Sequence, residues 1–166
     1  MALMRARETE AGERNRLGAL VQAALDGRHL PRFFFGEPAG LAGATAANQT
    51  AGPFLEALAR QQGVRRWDHK AYERVVLRGA LAAWRPGTNV TRTPDGWRVV
   101  SPVCPLAGEA ELDPRACQYC QAFQNHVAQS ALDDPGAEVR FEHLIVRGDA
   151  ACVATVKTTE KRPERT

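Results

Sequence analysis

No cysteine precedes Cys104, no internal repeat is legible, and no apolar run approaches the roughly 18 residues that a membrane-spanning helix needs. The N-terminus, Met-Ala-Leu-Met-Arg-Ala-Arg-Glu-Thr-Glu, lacks the apolar stretch of a secretory signal. Together these absences argue against a membrane protein and favour a cytoplasmic one. Charge of a single sign is missing too. The net charge is only +3, and Lys and Arg alternate with Asp and Glu, so no stripe that tracks phosphates emerges and nucleic acid is not the expected partner. No helix-turn-helix can be read, nor any Ser-His-Asp triad or paired-carboxylate arrangement. What remains is an ordinary globular composition, with 44% hydrophobic and 25% charged residues among 166, long enough for one domain to bury a core without disulfides.

Periodicity predicts an α+β fold: a helical N-terminal half, then an antiparallel sheet of two hairpins packed against helices. Residues 1–156 form the single domain, and 157–166 a charged tail. A first helix spans 7–27, with Leu17, Leu20, Val21, Ala24 and Leu25 on one face. The apolar knot Leu30-Pro-Arg-Phe-Phe-Phe35 leads into a small-residue stretch, 36–53, that reads as a surface loop or lid. A short helix follows over 54–61. A longer one runs from Asp68, its N-cap, to Trp84, with Tyr72, Val75, Val76 and Leu77 on its apolar side.

Past Pro86 the period changes to that of strands. Asn89 to Val100 reads as a hairpin turning at Pro94-Asp-Gly96. Asp113-Pro114 opens a helix to about Leu132, which ends at Asp133-Asp-Pro-Gly136. A last hairpin pairs Val139–Val146 with Ala151–Val156 through Gly148-Asp149. A two-residue turn there would set Ile145 against Cys152 and His143 against Ala154.

The chemistry points to the cysteines. Cys117 and Cys120 form a C-x-x-C at a helix start, where the backbone dipole favours thiolates, and Cys104 and Cys152 come from separate elements. At about 100° per residue the sulfurs of Cys117 and Cys120 share a side, whereas His126 lies nearly opposite. Four thiolates form a set that zinc or an iron–sulfur cluster accepts, and Cys104-Pro105 resembles a cluster ligand followed by proline. In a reducing compartment a metal site outranks a structural disulfide. His143, diagonal to Cys152, is a candidate donor to a ligating sulfur. A thiol–disulfide pair and inert core cysteines stay open as alternatives.

Several short runs carry a family resemblance: Tyr72 to Gly79, Trp84-Arg-Pro-Gly87, Gly96-Trp-Arg-Val-Val-Ser101, Cys104-Pro105, the C-x-x-C helix, Val139-Arg-Phe-Glu-His143 and Gly148-Asp-Ala-Ala-Cys152. Over residues 69–157 the chain resembles the vinyl-4-reductase type of small-molecule-binding domain and the related L-2-amino-thiazoline-4-carboxylate hydrolase-like proteins. The likeness implies an α+β fold with a ligand or metal pocket between sheet and helices. Gly148, Asp149 and Cys152 match the turn and cysteine of the family's closing hairpin, but Leu144 and Ile145 stand where a further cysteine is expected.

Three functions are therefore expected. The first is a metal–thiolate module that binds or senses a small molecule. The second is a thiazoline ring-opening hydrolase using zinc-held water or the Cys117 thiolate. The third is a C-x-x-C thiol oxidoreductase. Besides a small-molecule ligand, a homodimer stays compatible with the sequence.

Overall fold

In the computed structural model of this chain, residues 39–104, 107 and 115–159 are described, with side chains of the first and last helices taken from residues 51 and 117 onward. The 7–27 helix and the Phe33-Phe34-Phe35 knot lie outside them, as does the Asp113-Pro114 helix start.

The stretch expected to be a loop is helical. Helix α1 spans Ala39–Gln62 and continues straight through Pro53. Alanine is the best helix former, and its abundance between 39 and 51 outweighs the scattered Gly and Thr. Leu58 is fully buried, and Phe54 meets Phe123 edge to face at 5.4 Å between ring centroids. Gly63, in the left-handed region at φ 64°, ends the helix.

The next helix, α2, opens as expected at Asp68, whose carboxylate accepts the Ala71 N–H at 2.7 Å. After one α-turn, His69–Ala71, it widens into a π-helix over Tyr72–Leu81 and returns to α-geometry over Ala82–Trp84. Ten residues is long for a conformation usually met as single-turn bulges, often at functional sites.

A four-stranded antiparallel sheet follows, in the order β1-β2-β4-β3, with β1 Asn89–Thr93, β2 Gly96–Ser101, β3 Glu138–His143 and β4 Cys152–Lys157. Thr93 pairs with Gly96 around Pro94-Asp95. A Cβ at Gly96 would stand 1.9 Å from the Val156 carbonyl oxygen, so only glycine lets β2 and β4 approach there. Helix α3, Arg115–Leu132, packs against α1 and β3. Trp97, Val139, Val156, Tyr72, Leu77 and Leu58 lie at the centre of one continuous core between helices and sheet.

Two buried carboxylates fasten this core. Glu73 accepts three N–H groups: Arg78 Nε at 3.0 Å, Arg92 Nε at 2.6 Å and Trp97 Nε1 at 3.0 Å, which joins α2 to β1 and β2. Asp134, in the turn after α3, accepts the Gly136 and Thr159 N–H groups and the Thr159 hydroxyl. The start of the expected free tail is therefore anchored: Lys157 belongs to β4 and Thr159 is tied to Asp134.

Candidate functional site

The sulfur atoms meet where β2 exits, α3 begins and β4 starts. Ser101, last in β2, pairs with Cys152, first in β4, which brings the chain leading to Cys104 beside Cys152. The Cys104 thiol hydrogen-bonds the Cys152 sulfur. On α3, Cys117 is half-buried and Cys120 buried, three residues apart on one face. Charge on Cys120 and on Cys152 acts on Cys117, so all four residues belong to one electrostatic neighbourhood.

The connection before β4 departs from the expected turn. Leu144 leaves the strand, Ile145–Arg147 forms a 3-10 turn, and Gly148 follows at φ 93°. A bulge between Phe141 and His143 shifts the register, so that Phe141, not His143, faces Ala154 and His143 faces Val153. Two side-chain bonds hold this turn. The Asp149 carboxylate accepts the Leu144 N–H at 2.8 Å, and the Cys152 sulfur accepts the Ile145 N–H at 3.5 Å. His143, expected as a donor to a ligating sulfur, lies beside Asp149. It is more than half exposed, with Nδ1 3.6 Å from Asp149 Oδ1, and the Ile145 backbone takes the expected role.

Each sulfur has a distinct environment. Cys120 accepts from Arg85 Nη2 at 3.1 Å and from Gln124 Nε2 at 3.3 Å. The hydrogen bond from Cys104 pulls the Cys152 thiol down to about 6; burial opposes this, the Ile145 amide and the Arg85 charge add to it, and the Asp149 carboxylate works against it. Cys117 moves the other way. Burial pushes its thiol up, and charge on Cys120 and Cys152 adds to that push, against the pull of Arg147 and Arg85.

Arg85 is the residue that sequence reasoning missed. It follows Trp84 at the end of α2 and is only 3% exposed. Its guanidinium carbon lies 4.8 Å from the Trp84 ring centroid and 6.0 Å from that of Phe141. Its Nε has no hydrogen-bond partner, and among the described residues no carboxylate pairs with it. The only signal in the sequence was an arginine inside an apolar helix end. Gln124, one turn after Cys120, falls on the cysteine side of α3 by periodicity, but nothing in the sequence marked its amide as a donor to sulfur.

Among the described residues, no group of three or more His, Cys, Asp and Glu side chains is disposed to hold a metal ion. Cys104 is bonded to Cys152, and Cys120 is turned toward Arg85 and Gln124. In donor type the set still fits zinc or an iron–sulfur cluster. It offers four soft ligands with N–H donors already aimed at Cys120 and Cys152.

A cavity of about 30 Å3 lies beside this cluster, lined by Tyr72, Val76, Leu77 and Leu81 of α2 and by Phe123 and Gln124 of α3. Gln124 belongs to both places, since its side chain lines the cavity and its amide reaches the Cys120 sulfur. No helix among the described residues is long and apolar enough to cross a membrane. Compared with known proteins, the chain matches no family model, no curated protein and no solved structure.

Proposed function

We propose that this domain binds or senses a small molecule by way of a metal–thiolate centre, as the resemblance to vinyl-4-reductase-type domains implies, with Cys104, Cys117, Cys120 and Cys152 as ligands to zinc or an iron–sulfur cluster. The observation that carries the reading is that Cys117, Cys120 and Cys152 share one buried guanidinium, Arg85, which donates to the Cys120 sulfur and acts by charge on the other two, while Cys104 is bonded to Cys152. A buried cation of this kind is costly unless negative charge faces it, and among the described residues the acceptor it reaches is the Cys120 sulfur. Burial chiefly raises the Cys117 thiol, and the charge on Cys120 and Cys152 that adds to it is what a thiophilic cation would relieve. Loss of the Cys104 proton would remove the hydrogen that now separates it from Cys152. When bound, zinc supplies a cross-link between β2, α3 and β4, and a cluster adds one-electron redox chemistry.

The test is elemental analysis with an ultraviolet–visible spectrum on protein purified without oxygen or chelator. One zinc per chain, or iron with sulfide and a brown colour, is the expected result, and Cys104→Ser or Cys152→Ser should abolish it. Metal-free protein that also takes up no zinc in a titration overturns the reading.

A second reading rests on the hydrogen bond from Cys104 to Cys152 and the depressed Cys152 thiol. In thiol–disulfide exchange these two residues, not the C-x-x-C pair, are then the reacting dithiol. They give two electrons and two protons to an incoming disulfide and become a disulfide themselves. Mass spectrometry after treatment with oxidised glutathione distinguishes a Cys104–Cys152 bond from a Cys117–Cys120 bond.

A further inference from the structure

The π-register of α2 has a geometric consequence. In an α-helix, at about 100° per residue, Tyr72, Val76, Leu77 and Leu81 spread over roughly 180° of the surface. With the wider turn of a π-helix, about 82° per residue, the same four side chains fall within roughly 80°. All four line the cavity, together with Phe123 and Gln124 of α3. The same change of register brings Glu73 and Arg78, five residues apart, from about 140° of separation to about 50°. There they pair at 3.0 Å. The wall of the cavity and the ion pair beside it thus depend on one backbone conformation.

The lining sets the chemistry of the occupant. Besides the Tyr72 hydroxyl and the indole of Trp84, Gln124 brings the polar group, and among the described residues, with Phe54 and Val127 included, no charged side chain lines the cavity. A volume of about 30 Å3 is two to three times the 10–15 Å3 or so that one water requires. It is also well short of the approximately 150 Å3 that admits benzene. A molecule of two or three heavy atoms with no charge fits, and dissolved diatomic gases are of that class.

We infer that this cavity is a binding site for a small, uncharged, weakly polar molecule of diatomic size, shaped by the π-register of α2, and that Gln124 transmits its occupancy to the Cys120 sulfur. The transmission follows from one side chain serving two places. An occupant that presses on Gln124 moves the amide that donates to Cys120 at 3.3 Å. This inference deepens the sensing function and rests on it for the meaning of the signal, but the cavity's occupancy can be measured without any metal.

Xenon is the probe. Titrated under pressure into the full-length, isotopically labelled protein, it should produce saturable amide shifts confined to Val76, Leu77, Gln124, Val127 and their neighbours. Leu77→Phe, which fills the space, should weaken binding at least about tenfold, and Leu77→Ala, which enlarges it, should strengthen it. Benzene should give no saturable shift in the wild-type protein. Xenon saturation should change the alkylation rate of Cys120 at least about threefold, and Gln124→Leu should retain xenon binding while losing that response.

Shifts scattered over the surface, shifts undiminished in Leu77→Phe when Leu77→Ala is folded and also unchanged, or benzene binding as tightly as xenon overturn the site. An unchanged Cys120 rate at saturation overturns the transmission. Metal analysis of the same preparation keeps the two readings apart. Metal-free protein that takes up no zinc yet binds xenon refutes the metal centre alone, and metal-loaded protein that binds none refutes the cavity alone.

Discussion

Glu73 and Arg85 are both buried charges on α2, and their surroundings could hardly differ more. Glu73, 5% exposed, has three N–H donors on its two oxygens, from α2, β1 and β2. Burial pushes its carboxyl up, yet the hydrogen bonds from Trp97, Arg92 and Arg78 and the Arg92 charge together hold it below the usual carboxylate range. Arg85, 3% exposed, donates to a cysteine sulfur, lies against two aromatic rings and leaves its Nε without an acceptor. A charge whose partners are complete serves the fold. One with incomplete partners, bonded to the Cys120 sulfur and acting by charge on Cys117 and Cys152, is the better marker of chemistry.

That contrast can be broken by substitution. The largest effect is expected from Glu73→Gln, which leaves two guanidinium groups and the Trp97 N–H with a neutral acceptor. Loss of charge-assisted hydrogen bonds should lower stability by about 3 kcal/mol, read as a shift in the urea midpoint with the slope unchanged. Metal content and thiol count should stay as in the wild type, and loss of either would mean that the two ends of α2 are not independent.

Arg85→Met should behave in the opposite way. Replacing a buried, incompletely paired cation with an apolar side chain of similar length should change stability by about 1 kcal/mol or less. Affinity for zinc should fall at least about tenfold, a loss of roughly 1.4 kcal/mol in binding, measured by competition with a chromophoric chelator. A destabilisation as large as that of Glu73→Gln would place Arg85 with the structural charges instead.

A smaller effect is expected at the chain's end. Asp134→Ala removes the acceptor of the Thr159 N–H and hydroxyl and of the Gly136 N–H. It should cost about 1–2 kcal/mol and make the segment after Lys157 susceptible to carboxypeptidase at lower enzyme concentration. The smallest signal near neutral pH, growing in acid, comes from titration of Glu73 itself. Its pKa is lower in the folded state than in the unfolded one, so the unfolded chain binds the proton more readily. The stabilisation is complete above the unfolded carboxyl range, about 4.3, and is lost as pH falls through the depressed folded value. In Glu73→Gln the stability curve should therefore be flatter than the wild type below about pH 4.5.

Much of the fold was legible in the chain. Asp68 as a cap, the hairpin around Pro94-Asp95, the helix ending at Leu132 and an α+β arrangement all follow from local propensity and periodicity, and all are present. The errors share a cause. The 39–53 stretch read as a loop because Gly and Pro were weighed above the alanines between them, and α2 read as an ordinary helix because a π-helix of ten residues is rare enough that spacing is matched to the α-helical period by default. The β3–β4 turn read as two residues because Gly148-Asp149 has the composition of a tight turn. Asp149 and Cys152 instead hold a 3-10 turn in place through Leu144 and Ile145.

By itself the sequence determined which residue types are available: four thiols, two of them on one helical face, a strand-rich second half, and Lys and Arg interspersed with Asp and Glu. Those properties depend on neighbours along the chain, where spacing is enough. Which donor reaches which sulfur, that Arg85 is buried against Cys120, and that Gln124 joins cavity to thiol were decided only when α2, α3 and β4 packed together. Hydrogen bonds and Coulomb interactions act through space over a few ångströms, between residues far apart in the chain, 35 positions for Arg85 and Cys120.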